Sequence, residues 1–163
     1  MRMIFATIAA AVLLVPSAKA QDLSGISKAD LKQIRECLAK GDEKACIGTI
    51  ANPCQDLPGG SSTMGIDECL GREQKAWDVI LNERYKEATA AAKELDSRLP
   101  ELGMEPVAAK SLVKAQRAWI AFRDAECDRI FDLNIEGTIR TVAAANCMTD
   151  MTAQRAIDLG SDE

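Results

Sequence analysis

Six cysteines and no histidine among 163 residues constrain this chain more than any other feature. Cys37, Cys46, Cys54, Cys69, Cys127 and Cys147 all follow an N-terminal segment with the layout of a secretory leader. Met1-Arg2-Met3 is a positive start, Ile4 to Val15 is an apolar run, and Pro16 breaks it. Ala18-Lys19-Ala20 supplies a small-x-small cleavage site. A run of twelve residues is too short for a comfortable membrane span. Residues 1–20 are therefore expected to be removed, leaving Gln21 to Glu163 as a soluble chain in the periplasm or outside the cell. Gln21, not a cysteine, follows the cut, so no membrane anchor is expected. An even cysteine count in an oxidising compartment reads as three disulfides. The lack of histidine excludes Ser-His-Asp and Cys-His nucleophiles. With no Cys-x-x-Cys spacing either, no metal site or other cofactor is expected.

Apolar periodicity then gives the fold class. Leu70, Trp77, Leu81, Ala88, Leu95 and Leu99 recur at helical spacings, which predicts a long helix from a cap at Asp67 to about Arg98. Leu99-Pro100-Glu101-Leu102-Gly103 ends it. A second helix is expected from about Pro106 to Leu133, with Leu112, Ala115, Trp119, Phe122 and Ile130 inward. A third runs from about Thr138 to Leu159, with Val142, Met148, Met151 and Ala156 inward. No stretch alternates with period two for long enough to predict a sheet. The reading is all-α: an antiparallel three-helix bundle over 67–163, preceded by a disulfide-stapled helical extension and Gly-rich loop over 21–66. Within that extension, Leu31, Ile34 and Leu38 define a short helix ended by Gly41, and a helical turn spans Asp42 to about Ile50. Residues 56–65 hold Pro58, three glycines and two serines, and are expected to be a loop.

Six cysteines permit 15 pairings, but an antiparallel bundle narrows them. Cys127 lies nine residues before the turn near Glu136 and Cys147 eleven after it. At 1.5 Å per residue the two are nearly level, which favours Cys127–Cys147. A Cys69–Cys127 bond would span a mismatch of roughly 12 Å along the axes. Cys54 and Cys69 flank the Gly-rich loop and can close it, leaving Cys37 with Cys46.

Charge narrows function. With Arg2 and Lys19 removed, 18 basic residues face 25 acidic ones. Such a chain is a poor ligand for nucleic-acid phosphates, so no nucleic-acid partner is expected. Neither a P-loop, a nucleophile elbow nor a dinucleotide fingerprint is present, and no carboxylate pair is singled out for glycosidase chemistry. A non-catalytic protein is expected.

Three runs remain. The first is Cys69-Leu70, Trp77-Asp78 and Leu81-Asn82-x-x-Tyr85. The second is Gln116-x-x-Trp119-x-x-Phe122-Arg123-Asp124-x-x-Cys127. The third is Cys147 with Thr152-x-x-Arg155 and Leu159. Together, from about Cys54 to Leu159, they resemble the lysozyme inhibitor LprI-like family of small exported helical domains. The resemblance implies inhibition of lysozyme-type muramidases. Animal-type lysozymes are strongly basic, so an acidic chain suits the encounter. The candidate contact is the loop at Leu57 to Gly65, with Asp56, Asp67 and Glu68 facing basic or cleft residues.

The alternative is a generic periplasmic envelope binding module for peptidoglycan, a small ligand or another envelope protein, with Tyr85, Trp119 and Arg123 lining its groove. Against both stands a structural role for the motif. Trp77, Trp119 and Phe122 belong on apolar faces. Asn82, Tyr85 and Gln116 are expected to satisfy one another across a helix interface. Arg123 is expected to reach Asp78 or Glu73, and Asp124 to meet Arg155.

Overall fold

The computed structural model describes residues 28–161; the expected leader and cleavage site lie outside them. Five α-helices follow in order: α1 (Lys28–Leu38), α2 (Ala51–Gln55), α3 (Thr63–Arg98), α4 (Ala108–Leu133) and α5 (Arg140–Ser161). Short 3-10 turns at Lys44–Cys46 and Leu99–Leu102 join α1 to α2 and α3 to α4. No strand occurs among the described residues. The fold is an up-down-up bundle of α3, α4 and α5 with the extension laid along α3.

At 36 residues, α3 is about 54 Å long and forms the spine. All its buried side chains lie between Gly65 and Leu81, because only that half is covered on several sides. There α5 runs parallel to it: Thr149 Oγ1 donates to the Leu70 carbonyl at 3.1 Å, and Arg84 Nη1 to the Ala156 carbonyl at 2.8 Å. Small residues let the two backbones close up, with Ala76, Ala153 and Ala156 fully buried. Trp77, Ile34, Leu81 and Leu159 fill the same core. The far half of α3 continues beyond the end of α5 and meets α4, whose first amides are capped from across the hairpin. Asp96 accepts from Ala108 N at 2.7 Å and Ala109 N at 2.9 Å.

Three disulfides join Cys37–Cys46, Cys54–Cys69 and Cys127–Cys147, with Cα separations of 5.7, 5.7 and 5.6 Å. The extension is also held by charge. Asp30, buried, pairs with Arg72, and this hydrogen bond raises the guanidinium above its ordinary value against the effect of burial. Glu43 pairs with Arg84 at 2.7 Å.

Several local expectations change. α3 starts at Thr63, not behind a cap at Asp67; Ser62 is the cap, its hydroxyl accepting from Gly65 N at 3.0 Å. The loop is shorter in consequence, and Gly65 sits inside the helix. A Cβ on Gly65 would lie 2.1 Å from the Gly59 carbonyl oxygen, so glycine lets the first turn of α3 press onto the loop. α2 begins at Ala51 and includes Asn52-Pro53, since proline in a first turn forfeits no intrahelical hydrogen bond. The expected turn over 42–50 shrinks to Lys44–Cys46. α4 begins two residues beyond Pro106, and Ala115 and Phe122 face solvent, Phe122 being 60% exposed. The buried positions of α4 are Gln116 and Cys127, so this helix rests on its neighbours along a narrow seam.

Candidate binding surface

The motif residues cluster where α4 meets α5. Trp119 is half-buried and packs against the main core. Two guanidinium groups approach its ring, Arg123 at 5.1 Å and Arg155 at 5.9 Å from the centroid. Arg155 Nε also donates to Gln116 Oε1 at 3.0 Å. Arg123 pairs with Asp124 at 2.8 Å and reaches Thr152 Oγ1 at 3.4 Å. The expected partners for Arg123, Asp78 and Glu73, are engaged elsewhere, and Asp124 meets Arg123 instead of Arg155. Flexion of the long arginine side chain overcomes the 100° offset between adjacent helical positions. Asn82 is exposed and bonds Asp78 on its own helix, at 2.8 Å to the carbonyl and 3.1 Å to the carboxylate. It therefore does not join Tyr85 and Gln116 in an interface; Tyr85 packs at the core edge.

Glu73 is the residue that sequence reasoning misplaced most. Expected only as a partner for Arg123, it is fully buried. One carboxylate oxygen accepts from Gly48 N at 2.6 Å and Trp77 Nε1 at 3.1 Å. The other accepts from Ile50 N at 2.9 Å and Ala51 N at 2.6 Å. Ile50 and Ala51 are the cap and first residue of α2, and Gly48 lies just before them, so Glu73 satisfies donors that a helix cannot satisfy itself and locks the extension onto α3.

Glu73 also lies at the base of a cleft of about 590 Å³ between the extension, α3 and α5. Its lining is mixed, with Ile66, Val142 and Ile139 apolar and Asn52, Asn146 and Asp150 polar. Asn146 donates to Asp150 at 2.9 Å. Burial pushes the Asp150 carboxyl above its ordinary range, the Asn146 hydrogen bond opposes this, and the charge of Glu73 adds to it. The cleft was not foreseen, because its walls come from segments about ninety residues apart in the chain.

The Gly-rich loop lies at the same end of the molecule. It is a chain of tight turns: Leu57 N donates to the Cys54 carbonyl, Gly60 N to that of Leu57 and Ser62 N to that of Gly59. Cys54–Cys69 closes it. Asp56 and Glu68 are exposed and Asp67 half-buried, the last two on the helix rather than at its cap.

Among the described residues no cluster of three or more acidic or cysteine side chains could hold a metal ion, and no helix is long and apolar enough to cross a membrane. An uncharacterized protein of Rhizobium meliloti (strain 1021) is 29% identical over 99 residues, covering 60% of this chain and 71% of that protein. No solved structure is similar at a significant level. The family model described as lysozyme inhibitor LprI matches residues 54–159, a span that takes in the closed loop, all three bundle helices, the Trp119 cluster and both flanking disulfides. The chain belongs to the lysozyme inhibitor LprI family.

Proposed function

We propose that this chain is an exported, non-catalytic inhibitor of lysozyme-type muramidases, acting in the periplasm or outside the cell after cleavage near Ala20. The observation that carries the reading is the family match over residues 54–159. Two physical features support it. The acidic balance favours encounter with a strongly basic enzyme. The bridged loop presents Asp56 and Leu57 without the ordering cost of a flexible one. Asp67 and Glu68 follow on the first two turns of α3.

The envelope-module alternative relied on a groove of Tyr85, Trp119 and Arg123. Arg123 is engaged by Asp124, Thr152 and Trp119, and Tyr85 packs on the core, so their surroundings do not favour a ligand there.

The test is muramidase activity with and without the oxidised protein, against animal-type and goose-type enzymes at two salt concentrations. Dose-dependent inhibition that weakens with salt is expected. A folded, fully bridged sample that inhibits neither class overturns the proposal.

A further inference from the structure

We infer that the inhibitory contact is one whole end of the bundle, in which the α4–α5 corner at 132–139 joins the Gly-rich loop to receive a basic muramidase. This rests on the inhibitor reading above. The corner is far from the loop in sequence, but the fold sets them side by side. Leu70 is hydrogen-bonded level with Thr149, and α3 and α5 run parallel. Their starts, Thr63 and Arg140, therefore reach the same end. Ile66 packs with Val142 and Ala145 in one cluster there. Ile139, at the corner, lines the same cleft as Ile66.

This end combines exposed apolar side chains with carboxylates that have no cation beside them. Leu133 is 71% exposed, Ile135 57%, Ile139 51% and Met64 73%. Around them, Asp56, Asp67, Glu68, Asp128, Asp132 and Glu136 form no ion pair among the described residues. Residues 45–71 contain no lysine or arginine at all. The two arginines of 126–140 are both occupied: Arg129 chelates Glu126, and Arg140 stacks on Phe131 at 5.1 Å. The opposite end also exposes apolar residues, Leu102 and Met104. Its charges nearly cancel, with six bases and five acids over 86–117. Charge therefore distinguishes two apolar ends, and only the first complements a basic protein. Exposed apolar side chains accompanied by acids outside any ion pair suit a contact that charge steers and apolar burial holds.

The experiment uses the full oxidised chain and an animal-type lysozyme, reading both binding and inhibition. Leu133→Ser with Ile135→Ser tests the apolar side chains, and Asp132→Lys with Glu136→Lys the acids. Leu102→Ser with Met104→Ser is the control at the other end. All six positions are exposed, and circular dichroism confirms that each variant is folded. Both corner variants should raise the half-inhibitory concentration by roughly tenfold or more, while the control matches wild type. The lysine variant should also lose most of the salt dependence. Hydrogen exchange with lysozyme bound should show protection at 57–68 and 132–142. Wild-type inhibition that survives both corner variants, or protection confined to the other end, overturns this inference and leaves the inhibitor reading standing. A wild-type chain that neither binds nor inhibits overturns both.

Discussion

Replacing Glu73 by glutamine tests the central claim about how the extension is held. The carboxylate presents two acceptor oxygens to four donors: Gly48 N and Trp77 Nε1 on one, Ile50 N and Ala51 N on the other. Glutamine keeps the shape but turns one acceptor into an NH2 donor. Whichever way the amide lies, one pair of N–H groups then faces another donor in a buried site. Losing two charge-assisted hydrogen bonds costs about 3–6 kcal/mol, partly offset because no charge remains to be desolvated. A net loss of about 3 kcal/mol follows, or roughly 10 °C in Tm for a domain of this size. The assay is thermal unfolding with disulfides oxidised, paired with hydrogen exchange. Cys54–Cys69 still tethers α2 to α3, so the loss should be local. Amides Gly48, Ile50 and Ala51 should exchange much faster in Glu73→Gln, while the α3–α5 core exchanges only as fast as the lower global stability allows. A variant that melts within about 2 °C of wild type, with those amides still protected, would refute the reasoning.

Three further outcomes are expected. Removing Cys127–Cys147 by a double serine substitution opens a loop of sequence separation 20 and should cost about 3 kcal/mol by denaturant titration; a loss below about 1 kcal/mol would mean that the α4–α5 hairpin is already ordered when unbridged. Gly65→Ala forces a methyl group against the Gly59 carbonyl, so it should destabilise by about 1–3 kcal/mol and loosen the loop amides; an unchanged melting curve would contradict the close approach. Asp150→Asn concerns pH. The native carboxyl sits above its unfolded value, so the native state holds its proton to higher pH. Stability is then lost as pH rises from about 4 through the native value. The variant should match wild type below that window and exceed it at neutral pH, by less than about 1 kcal/mol because the site is partly solvated; no pH-dependent difference would remove the burial argument.

What the sequence made legible follows from how each signal arises. Helix type and order came from long apolar stripes, because α3 and α5 each bury one face along several turns and α4 half-buries Leu112, Trp119 and Ile130 along its seam. The level of Cys127 with Cys147 came from rise per residue alone, because a short connection leaves an antiparallel pair little freedom to slip. Failures occurred where one side chain outweighed a stripe. Glu73 is three residues after Leu70 and four before Trp77, so helical spacing puts it on the buried face, but a carboxylate there gives no local sign of the amides it accepts from. Phe122 is three residues after Trp119, yet α4 offers so narrow a seam that Arg123 takes the inward place. At the start of α3, Ser62 and Asp67 are both good caps by type. Only the packing of Gly65 on the loop decides between them, and that contact crosses elements. The cleft and the shared end of loop and corner are tertiary juxtapositions and leave no local pattern.

The acidic end carries a cost that gives its role a distinct test. Asp132 lies in the last turn of α4, with no basic residue in that turn, and Glu136 follows in the connection. Carboxylates at a helix C-terminus oppose the macrodipole, at about 0.3–1 kcal/mol each when exposed. Asp128 and Asp132 are also four residues apart on one face, which is repulsive. Nothing in the folding of α4 favours these choices, and Cys127–Cys147 braces the same region. Asp132→Asn should therefore raise stability by about 0.3–1 kcal/mol at low salt. The gain should vanish near 1 M salt, where the Debye length is about 3 Å. If the end exists to meet a basic partner, the same variant should be the weaker inhibitor. Misfolding cannot mimic that combination, since it would lower both quantities. A variant that is more stable and equally potent would detach the acidic corner from function, and a less stable one would mean that this carboxylate makes favourable contacts within the fold.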